Sequence, residues 1–290
     1  MSRATKYKNG ADLAAGLMVL IVAAALLLVA VYFIKQYMPQ TQAPAGQSTA
    51  GPTTTLPTVP KPTLIPNPLD QNGFAYDQNG YLTCLTAESW LGVDVSEHQG
   101  QIQWAPVAEA GIQFAMVRLG YRGWGEEGAI RADVRGLENL QGAADAGLRV
   151  GVYFFSQAIS VEEAIEEAQF VLQLLDGRQL DLPVVFDWET VSAEDARTAN
   201  VKRSTLNACA LAFCREIENA GYEAMVYFNL ELAKWKLDLL AIQEAEFDFW
   251  LAMYSDSLRY AYQVRMWQYT DSGSVPGIKG KVDMDLYFPG

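Results

Sequence analysis

Two kinds of apolar pattern, one typical of strands and one typical of helices, alternate along residues 90–290. Short runs of about four to eight β-branched and aromatic residues are typical of buried strands. We predict seven such strands, at residues 92–95, 114–119, 149–156, 182–187, 224–228, 249–253 and 264–269.

Between several of these runs, apolar residues recur every three or four positions, which predicts amphipathic helices. The clearest helix spans residues 161–175, where Ser160 can cap the first turn and Glu163 completes a capping box. Further helices are predicted over residues 137–146 and 204–220, and a glycine follows each of them.

Strands that alternate with helices predict an α/β domain with a largely parallel, covered sheet. Seven or eight strands in about 200 residues favour an irregular (β/α) barrel of the TIM type, although such barrels usually need about 250 residues. An open doubly wound sheet is the alternative. The first predicted strand is not followed by a glycine-rich loop, which argues against nucleotide binding.

The N-terminus has a different pattern. Residues 13–34 are 22 residues without a charge, enough to cross a hydrocarbon core of about 30 Å. Three basic residues precede them, so residues 1–12 are expected in the cytoplasm, residues 13–38 in the membrane and the remainder outside the cell. A cleaved signal peptide is the alternative, but its apolar core is usually only about 7–15 residues long.

Residues 39–70 are predicted to form a Pro/Thr-rich linker. Eight of the 12 prolines lie between Pro39 and Pro68, where Lys61 is the single charged residue. Such a composition cannot bury enough apolar surface to fold. A short pre-domain segment, residues 71–89, then leads to the barrel domain, residues 90–290.

Composition excludes some functions. The net charge of −13 argues against binding to nucleic acid. The single histidine, His98, argues against a histidine metal cluster and against serine–histidine or cysteine–histidine catalysis. Three cysteines are more consistent with buried thiols than with a disulfide framework.

Two acids follow the fourth predicted strand. Asp187 and Glu189 are two residues apart, so they share one face of the strand while Trp188 points the other way. Two neighbouring carboxyl groups in a cleft can have pKa values that differ enough to supply an acid and a base. The alternative is an ordinary pair of solvated or salt-bridged acids.

Other strand ends carry acids and aromatic residues. In a barrel, the C-terminal ends of the strands build the active site. Carboxyl groups among aromatic rings are typical of carbohydrate chemistry, because hydrolysis of a glycosidic bond needs two carboxyl groups. Each aromatic residue could instead belong to the core. The candidates are Asp94, Tyr153, Asp187, Glu189, Tyr227, Trp250, Trp267 and Asp283.

Several ordered motifs resemble one family. They begin with Gly-Val-Asp-Val-Ser-Glu-His-Gln-Gly at residues 92–100 and continue with Leu-Pro-Val-Val-Phe-Asp-Trp-Glu at 182–189. Further matches are found at residues 114–118, 147–155, 250–252, 267–269 and 282–283. Together they strongly resemble the family 25 glycoside hydrolases, the Chalaropsis-type lysozymes, over essentially all of residues 90–290.

This resemblance implies an N-acetylmuramidase on an irregular, flattened (β/α) barrel. Glu189 corresponds to the general acid, Asp187 and Asp94 to its acidic partners, and Asp283 to a further acid of the cleft. The aromatic residues expected along the sugar groove are Tyr153, Tyr227, Trp250 and Trp267. Asp285 replaces an asparagine of many relatives and would add negative charge if it lay near the site.

The sequence therefore predicts a membrane-anchored bacterial lysozyme that hydrolyses peptidoglycan outside the cell, in turnover or remodelling of the wall. Its expected partners are glycan strands and, through the N-terminal helix, the membrane; no metal or cofactor is expected. The alternatives are an inactive protein that binds wall glycan, a glycosidase for another polysaccharide and, least supported, a peptidase.

Overall fold

A computed structural model describes residues 62–193 and 195–289. The predicted anchor, residues 13–38, and most of the predicted linker lie outside these residues. Within the described part, none of the helices has the length and apolar character needed to cross a membrane.

The described residues form eleven strands and six α-helices. The strands are β1 Phe74–Tyr76, β2 Leu82–Cys84, β3 Trp90–Val95, β4 Phe114–Arg122, β5 Ile130–Ala132, β6 Arg149–Ser156, β7 Val184–Trp188, β8 Ala224–Asn229, β9 Asp248–Ala252, β10 Met266–Gly273 and β11 Val282–Tyr287. The helices are α1 Trp104–Glu109, α2 Gly136–Asp145, α3 Val161–Leu175, α4 Arg203–Asn219, α5 Leu230–Trp235 and α6 Leu239–Glu244.

Eight strands close into a barrel in the order β3-β11-β10-β9-β8-β7-β6-β4, and β4 pairs with β3 to complete it. Neighbouring strands are parallel except at β11, which is antiparallel to both β10 and β3. The short strand β5 extends the edge of β4 as a hairpin. The predicted (β/α) barrel is confirmed, and the alternative of an open sheet is wrong.

The barrel is irregular at its last strands. The described loops 253–265 and 274–281 connect β9, β10 and β11 without an α-helix. Sequence reasoning missed β11, because its residues alternate between acids and apolar residues instead of forming an apolar run. That alternation is itself typical of a strand with two different faces.

Helix α3 has the predicted bounds. Its first turn is capped by Ser160, whose hydroxyl accepts a hydrogen bond from the Glu163 amide at 3.3 Å. The predicted capping box is only half formed, because the Glu163 carboxylate accepts instead from the Ile159 amide and binds Arg197. Glu163 thereby links α3 to the loop that follows β7.

Two separate cores fill the domain. The larger lies between the barrel and its helices, and the smaller lies inside the barrel. The interior core contains Phe114, Met116, Val185, Met225 and Met266, so the lower part of the barrel is closed by apolar side chains. The polar interior residues are therefore confined to the C-terminal ends of the strands.

One interior contact needs a glycine. Gly92 on β3 lies against the ring of Phe114, and a β-carbon at this position would overlap that ring.

The three cysteines, Cys84, Cys209 and Cys214, are all buried and free. Burial raises the pKa of the Cys209 thiol to about 12, which keeps it protonated and unreactive.

Residues before β3 also contact the barrel domain. Pro66 forms a β-bridge with Tyr262, and the Ile65 amide donates to Gln243 Oε1 at 2.8 Å. These two residues belong to the stretch in which the sequence predicts a linker. The hairpin of β1 and β2 packs Leu82 into the outer core.

Candidate active site

Four predicted acids meet at one end of the barrel. Asp94 lies on β3, Asp187 on β7, Glu189 directly after β7 and Asp283 on β11. All four line one cavity of about 230 Å³. The chain brings residues nearly 190 positions apart to this cavity because β3 and β11 are neighbours in the closed barrel.

The end of β7 has the predicted alternation. Trp188 is buried outside the barrel, where its indole N–H donates to the Ala158 carbonyl at 3.1 Å. Asp187 and Glu189 face the cavity on the opposite side. The shared face of the two acids is therefore observed, and Trp188 anchors the strand end that carries them.

Asp94 is held by an amide from β10. Gln268 Nε2 donates to Asp94 Oδ2 at 2.8 Å, and Gln268 Oε1 accepts from the hydroxyls of Tyr227 and Tyr254 at 3.3 and 3.2 Å. These two donors fix which end of the Gln268 amide faces Asp94.

Asp94 and Asp283 are directly opposite each other in the antiparallel pair of β3 and β11. Directly paired residues of two strands have their side chains on one face and close together. Burial raises the pKa of Asp94, and the charge of Asp283 raises it further. Burial also raises the pKa of Asp283 to about 6, with a smaller effect from Asp271.

Asp285 lies deeper on β11 than Asp283 and is fully buried. Its Oδ1 accepts from the indole N–H of Trp250 at 2.9 Å, while Oδ2 has no donor among the described residues. Burial raises the pKa of Asp285 most, and the charges of Asp94 and Asp283 raise it further. A buried oxygen without a donor also disfavours the ionised form of this carboxyl group.

The expected effect of Asp285 is thereby corrected. The sequence suggested an added negative charge that would raise the pKa of a neighbour. Asp285 instead lowers the pKa of Asp94, against the larger effect of burial, which raises it. Burial disfavours a second charge at the depth of Asp285.

Asp187 and Glu189 affect each other. Burial raises the pKa of Asp187, and the charges of Glu189 and Asp94 add to this effect, whereas Arg118 lowers it. Burial raises the pKa of Glu189 as well, with a second contribution from Asp283. A negative charge on Glu189 raises the pKa of Asp187, so the two groups disfavour being ionised at the same time. The pair therefore favours a state with one shared proton.

Glu189 is the more accessible acid of the pair. It is half-buried at the mouth of the cavity, whereas Asp187 is buried and its Oδ1 accepts no hydrogen bond from the described residues. The backbone carbonyl of Glu189 accepts from Gln157 Nε2 at 2.8 Å, and Gln157 Oε1 accepts from the Thr198 hydroxyl. Glu189 is thus positioned by a buried amide and can reach a ligand.

Three of the predicted aromatic residues line the cavity. The ring of Trp250 makes edge contacts with Tyr153 and Tyr227 at centroid distances of 5.9 and 5.1 Å. The prediction for Trp267 is wrong. Its side chain points out of the barrel, packs edge-on against Phe74 at 5.2 Å and donates to the Met253 carbonyl at 2.8 Å.

Further polar residues support the acids. They are Arg118, Gln157, Tyr254 and Gln268, and sequence reasoning missed the first two. Alternation along β10 gives a signal for Gln268, because Met266 lies in the interior core and Trp267 outside it, so that Gln268 must face inward. Within the described residues, the acids of the cavity do not form a metal-binding cluster.

The arrangement is suited to proton transfer beside a bound sugar. An accessible acid with a raised pKa can hold a proton near neutral pH and donate it to a ligand oxygen. Acids deeper in the cavity can stabilise positive charge that develops on the ligand. Tyr254, which also lines the cavity, is exposed and can contact a sugar ring, whereas Tyr153, Tyr227 and Trp250 are buried.

Known proteins share this fold and these motifs. The profile of the glycosyl hydrolases family 25 matches residues 93–278. An autolytic lysozyme of Clostridium acetobutylicum is 26% identical over 204 residues, which are 69% of this chain and 56% of that protein. The chain thus spans little more than half the length of this relative.

Solved structures agree in fold. The modular autolysin LytC of Streptococcus pneumoniae, in complex with a synthetic peptidoglycan ligand, has a TM-score of 0.63 at 24% identity, over 74% of this chain and 50% of that one. A family 25 glycosyl hydrolase of Bacillus anthracis has a TM-score of 0.57 at 22% identity, over 69% and 89% of the two chains. The profile match covers more than half of the sequence, and the chain belongs to the glycosyl hydrolases family 25.

Proposed function

We propose that the protein is a peptidoglycan hydrolase, an N-acetylmuramidase that cleaves the β-1,4 bond between N-acetylmuramic acid and N-acetylglucosamine. The observation that carries the proposal is Glu189, an accessible acid with a raised pKa, next to Asp187 in a cavity lined by aromatic rings. The lysozyme of Clostridium acetobutylicum and the peptidoglycan-bound autolysin support this substrate.

In the proposed reaction, Glu189 donates its proton to the bridging oxygen as the bond from that oxygen to the anomeric carbon breaks. Positive charge develops on the sugar ring. Loss of the proton from Glu189 leaves a negative charge beside Asp187, which raises the pKa of Asp187. Water then adds to the anomeric carbon and gives a proton to a carboxylate of the site.

Asp94 and Asp283 extend the negative side of the cavity. Asp283 has a pKa of about 6 and is therefore mostly ionised at neutral pH. It lies at the mouth, where it can stabilise positive charge on the ring and also keeps Glu189 protonated to higher pH. Asp94, fixed by Gln268, serves as the second acidic partner.

The location follows from the N-terminal sequence. We propose that residues 13–38 anchor the protein in a bacterial cell membrane, with residues 1–12 in the cytoplasm and the barrel domain outside the cell. The supporting observations are the 22 uncharged residues at 13–34 and the basic residues before them. Wall turnover or remodelling is the role that this location favours.

The identity of the cleaved bond tests the proposed activity. Purified peptidoglycan is digested with the full chain in mild detergent, and the new reducing ends are reduced with borohydride. A muramidase yields muramicitol. Glucosaminitol alone would identify a glucosaminidase, and binding of glycan without any product would support the inactive wall-binding alternative.

A further inference from the structure

A second and larger cavity adjoins the site of the acids. It has a volume of about 680 Å³ and lies between the β4–β5 hairpin and the turn Glu97–Gln99. His98, Arg118 and Phe155 line both cavities, so the two are neighbours. A volume of this size is in the range of specific ligand sites, about 300–1,000 Å³.

Aromatic side chains form one wall of the second cavity. Trp124 is 46% exposed although it lines a cavity, and Tyr121 and Phe155 are half-buried beside it. The backbone of this wall is fixed, because the Trp124 carbonyl accepts from the Arg197 amide at 3.0 Å. The Tyr121 ring is held by the Arg118 guanidinium, 5.1 Å from its centroid.

Two of the three arginines that line this cavity are already paired. Arg118 binds Asp133 at 2.8 Å and Glu97 at 3.3 Å. Arg122 binds Glu167 at 2.6 Å and Glu166 at 2.8 Å.

The remaining charges do not favour an anionic ligand. Arg131 lines the cavity together with Glu126 and Glu127, and the whole chain is strongly acidic. A multiply charged stem peptide would meet this negative field, whereas an uncharged ring would not.

We infer that the second cavity is a subsite for an N-acetylated hexosamine ring of the glycan strand, next to the ring that is cleaved, and that the ring stacks on Trp124. The inference rests on the proposed function, since it names the neighbouring part of the same substrate. The position beside the acids, the exposed indole and the two paired arginines together favour a neutral sugar face.

Binding to a chain that cannot turn over tests the subsite. The full chain with Glu189→Gln is titrated with the peptide-free tetrasaccharide of alternating N-acetylglucosamine and N-acetylmuramic acid, by calorimetry. Adding Trp124→Ala should weaken binding about tenfold, because loss of a central tryptophan typically costs more than 1 kcal/mol. Trp235→Ala, a change at another exposed tryptophan that lines neither cavity, should leave the affinity unchanged.

Kinetics supply a second measurement. In the otherwise unchanged chain, Trp124→Ala should raise KM for peptidoglycan about tenfold with little change in kcat, and Trp124→Phe should restore part of the loss. Equal tetrasaccharide affinity with and without Trp124 would overturn the subsite. So would binding of the free stem peptide, rather than the glycan, that depends on Trp124.

The two proposals can fail separately. If the parent chain releases muramic acid ends and Trp124→Ala has no effect, only the subsite is wrong. If the parent releases no ends while tetrasaccharide binding depends on Trp124, the hydrolase assignment is wrong and the subsite stands. If the tetrasaccharide does not bind at all, the subsite is also refuted.

Discussion

The acids of the barrel differ because each one lies at a different depth and beside different charges. Glu189 is accessible and held through its backbone by Gln157, whereas Asp187 is buried next to it. Asp94 receives a hydrogen bond from Gln268, and Asp285 at the greatest depth bonds to Trp250. The sequence identifies the acids, but depth and hydrogen-bond partners decide which of them holds a proton.

Replacing Asp285 with asparagine should stabilise the protein at neutral pH. Its raised folded pKa means that the folded state binds a proton that the unfolded state releases above about pH 4. The free energy of unfolding of the parent should therefore fall relative to Asp285→Asn as pH rises. The expected slope is about 1.4 kcal/mol per pH unit up to the folded pKa.

Urea unfolding between pH 4 and pH 8 measures this difference. Asp256→Asn, a change at an exposed position, is the control and should follow the parent. Asparagine keeps the size and shape of the side chain, so hydrolysis should persist in Asp285→Asn. A parent and a variant whose stabilities stay parallel across this range would show that Asp285 is not protonated.

Replacing Asp283 with asparagine should shift the pH dependence of hydrolysis. After burial, the charge of Asp283 is the cause that raises the pKa of Glu189. Without that charge, Glu189 loses its proton at lower pH, and the alkaline limb of kcat/KM should move to lower pH. Asp256→Asn is the matched control. An alkaline limb that stays in place in Asp283→Asn would show that Asp283 does not raise the pKa of the general acid.

At the scale of elements, alternation along each strand explains what the sequence predicts and what it does not. The runs at 149–156 and 182–187 predict β6 and β7 closely, because both are mostly buried strands of a parallel sheet. β11 was missed because its inward positions are acids. Trp267 was assigned to the groove because it is an aromatic residue at a strand end. Its neighbour Gln268 is the residue that faces inward.

Long-range partners were beyond sequence reasoning. The hydrogen bond between Gln268 and Asp94 joins residues 174 positions apart. The support of Glu189 comes from Gln157, which lies directly after the neighbouring strand β6. No local pattern encodes such pairs, because they depend on how the barrel closes. The family motifs contain Asp94, Glu189 and Gln268, but they do not indicate that Gln268 binds Asp94.

Gln157 should matter for turnover more than for binding. It links the loop after β6 to the loop after β7 by donating to the Glu189 carbonyl and accepting from Thr198. Gln157→Ala should lower kcat at least about tenfold with little change in KM, because a small displacement of an acid slows proton transfer. Gln169→Ala on the exposed face of α3 is the control, and equal kcat in both variants would count against a positioning role.

At the scale of the molecule, the proposed action on an extracellular polymer has to agree with the shape of the barrel and with its acidic charge. Eight strands close around an apolar lower core, and the acids gather at the open end. A net charge of −13 gives no general attraction to an anionic wall, so we expect recognition to come from the two neighbouring cavities.

Deleting residues 1–38 should release the protein from the membrane without abolishing hydrolysis. The deleted part contains the 22 uncharged residues at 13–34, whereas the cavities belong to the barrel domain. Fractionation of bacterial cells should find the full chain in the membrane and the shortened chain in the soluble fraction. A full chain that is already soluble after fractionation would refute the anchor.

Hydrolysis by Glu189→Gln is the most direct measurement of the central claim. The glutamine keeps the shape of the side chain and removes the proton, and general acid catalysis typically contributes about 10²–10⁴-fold. The parent and Glu244→Gln, whose exposed glutamate lies on α6, should release muramic acid reducing ends from peptidoglycan at equal rates. Glu189→Gln should be slower by at least about 10²-fold. Equal rates in all three would contradict the assignment of Glu189 as the proton donor.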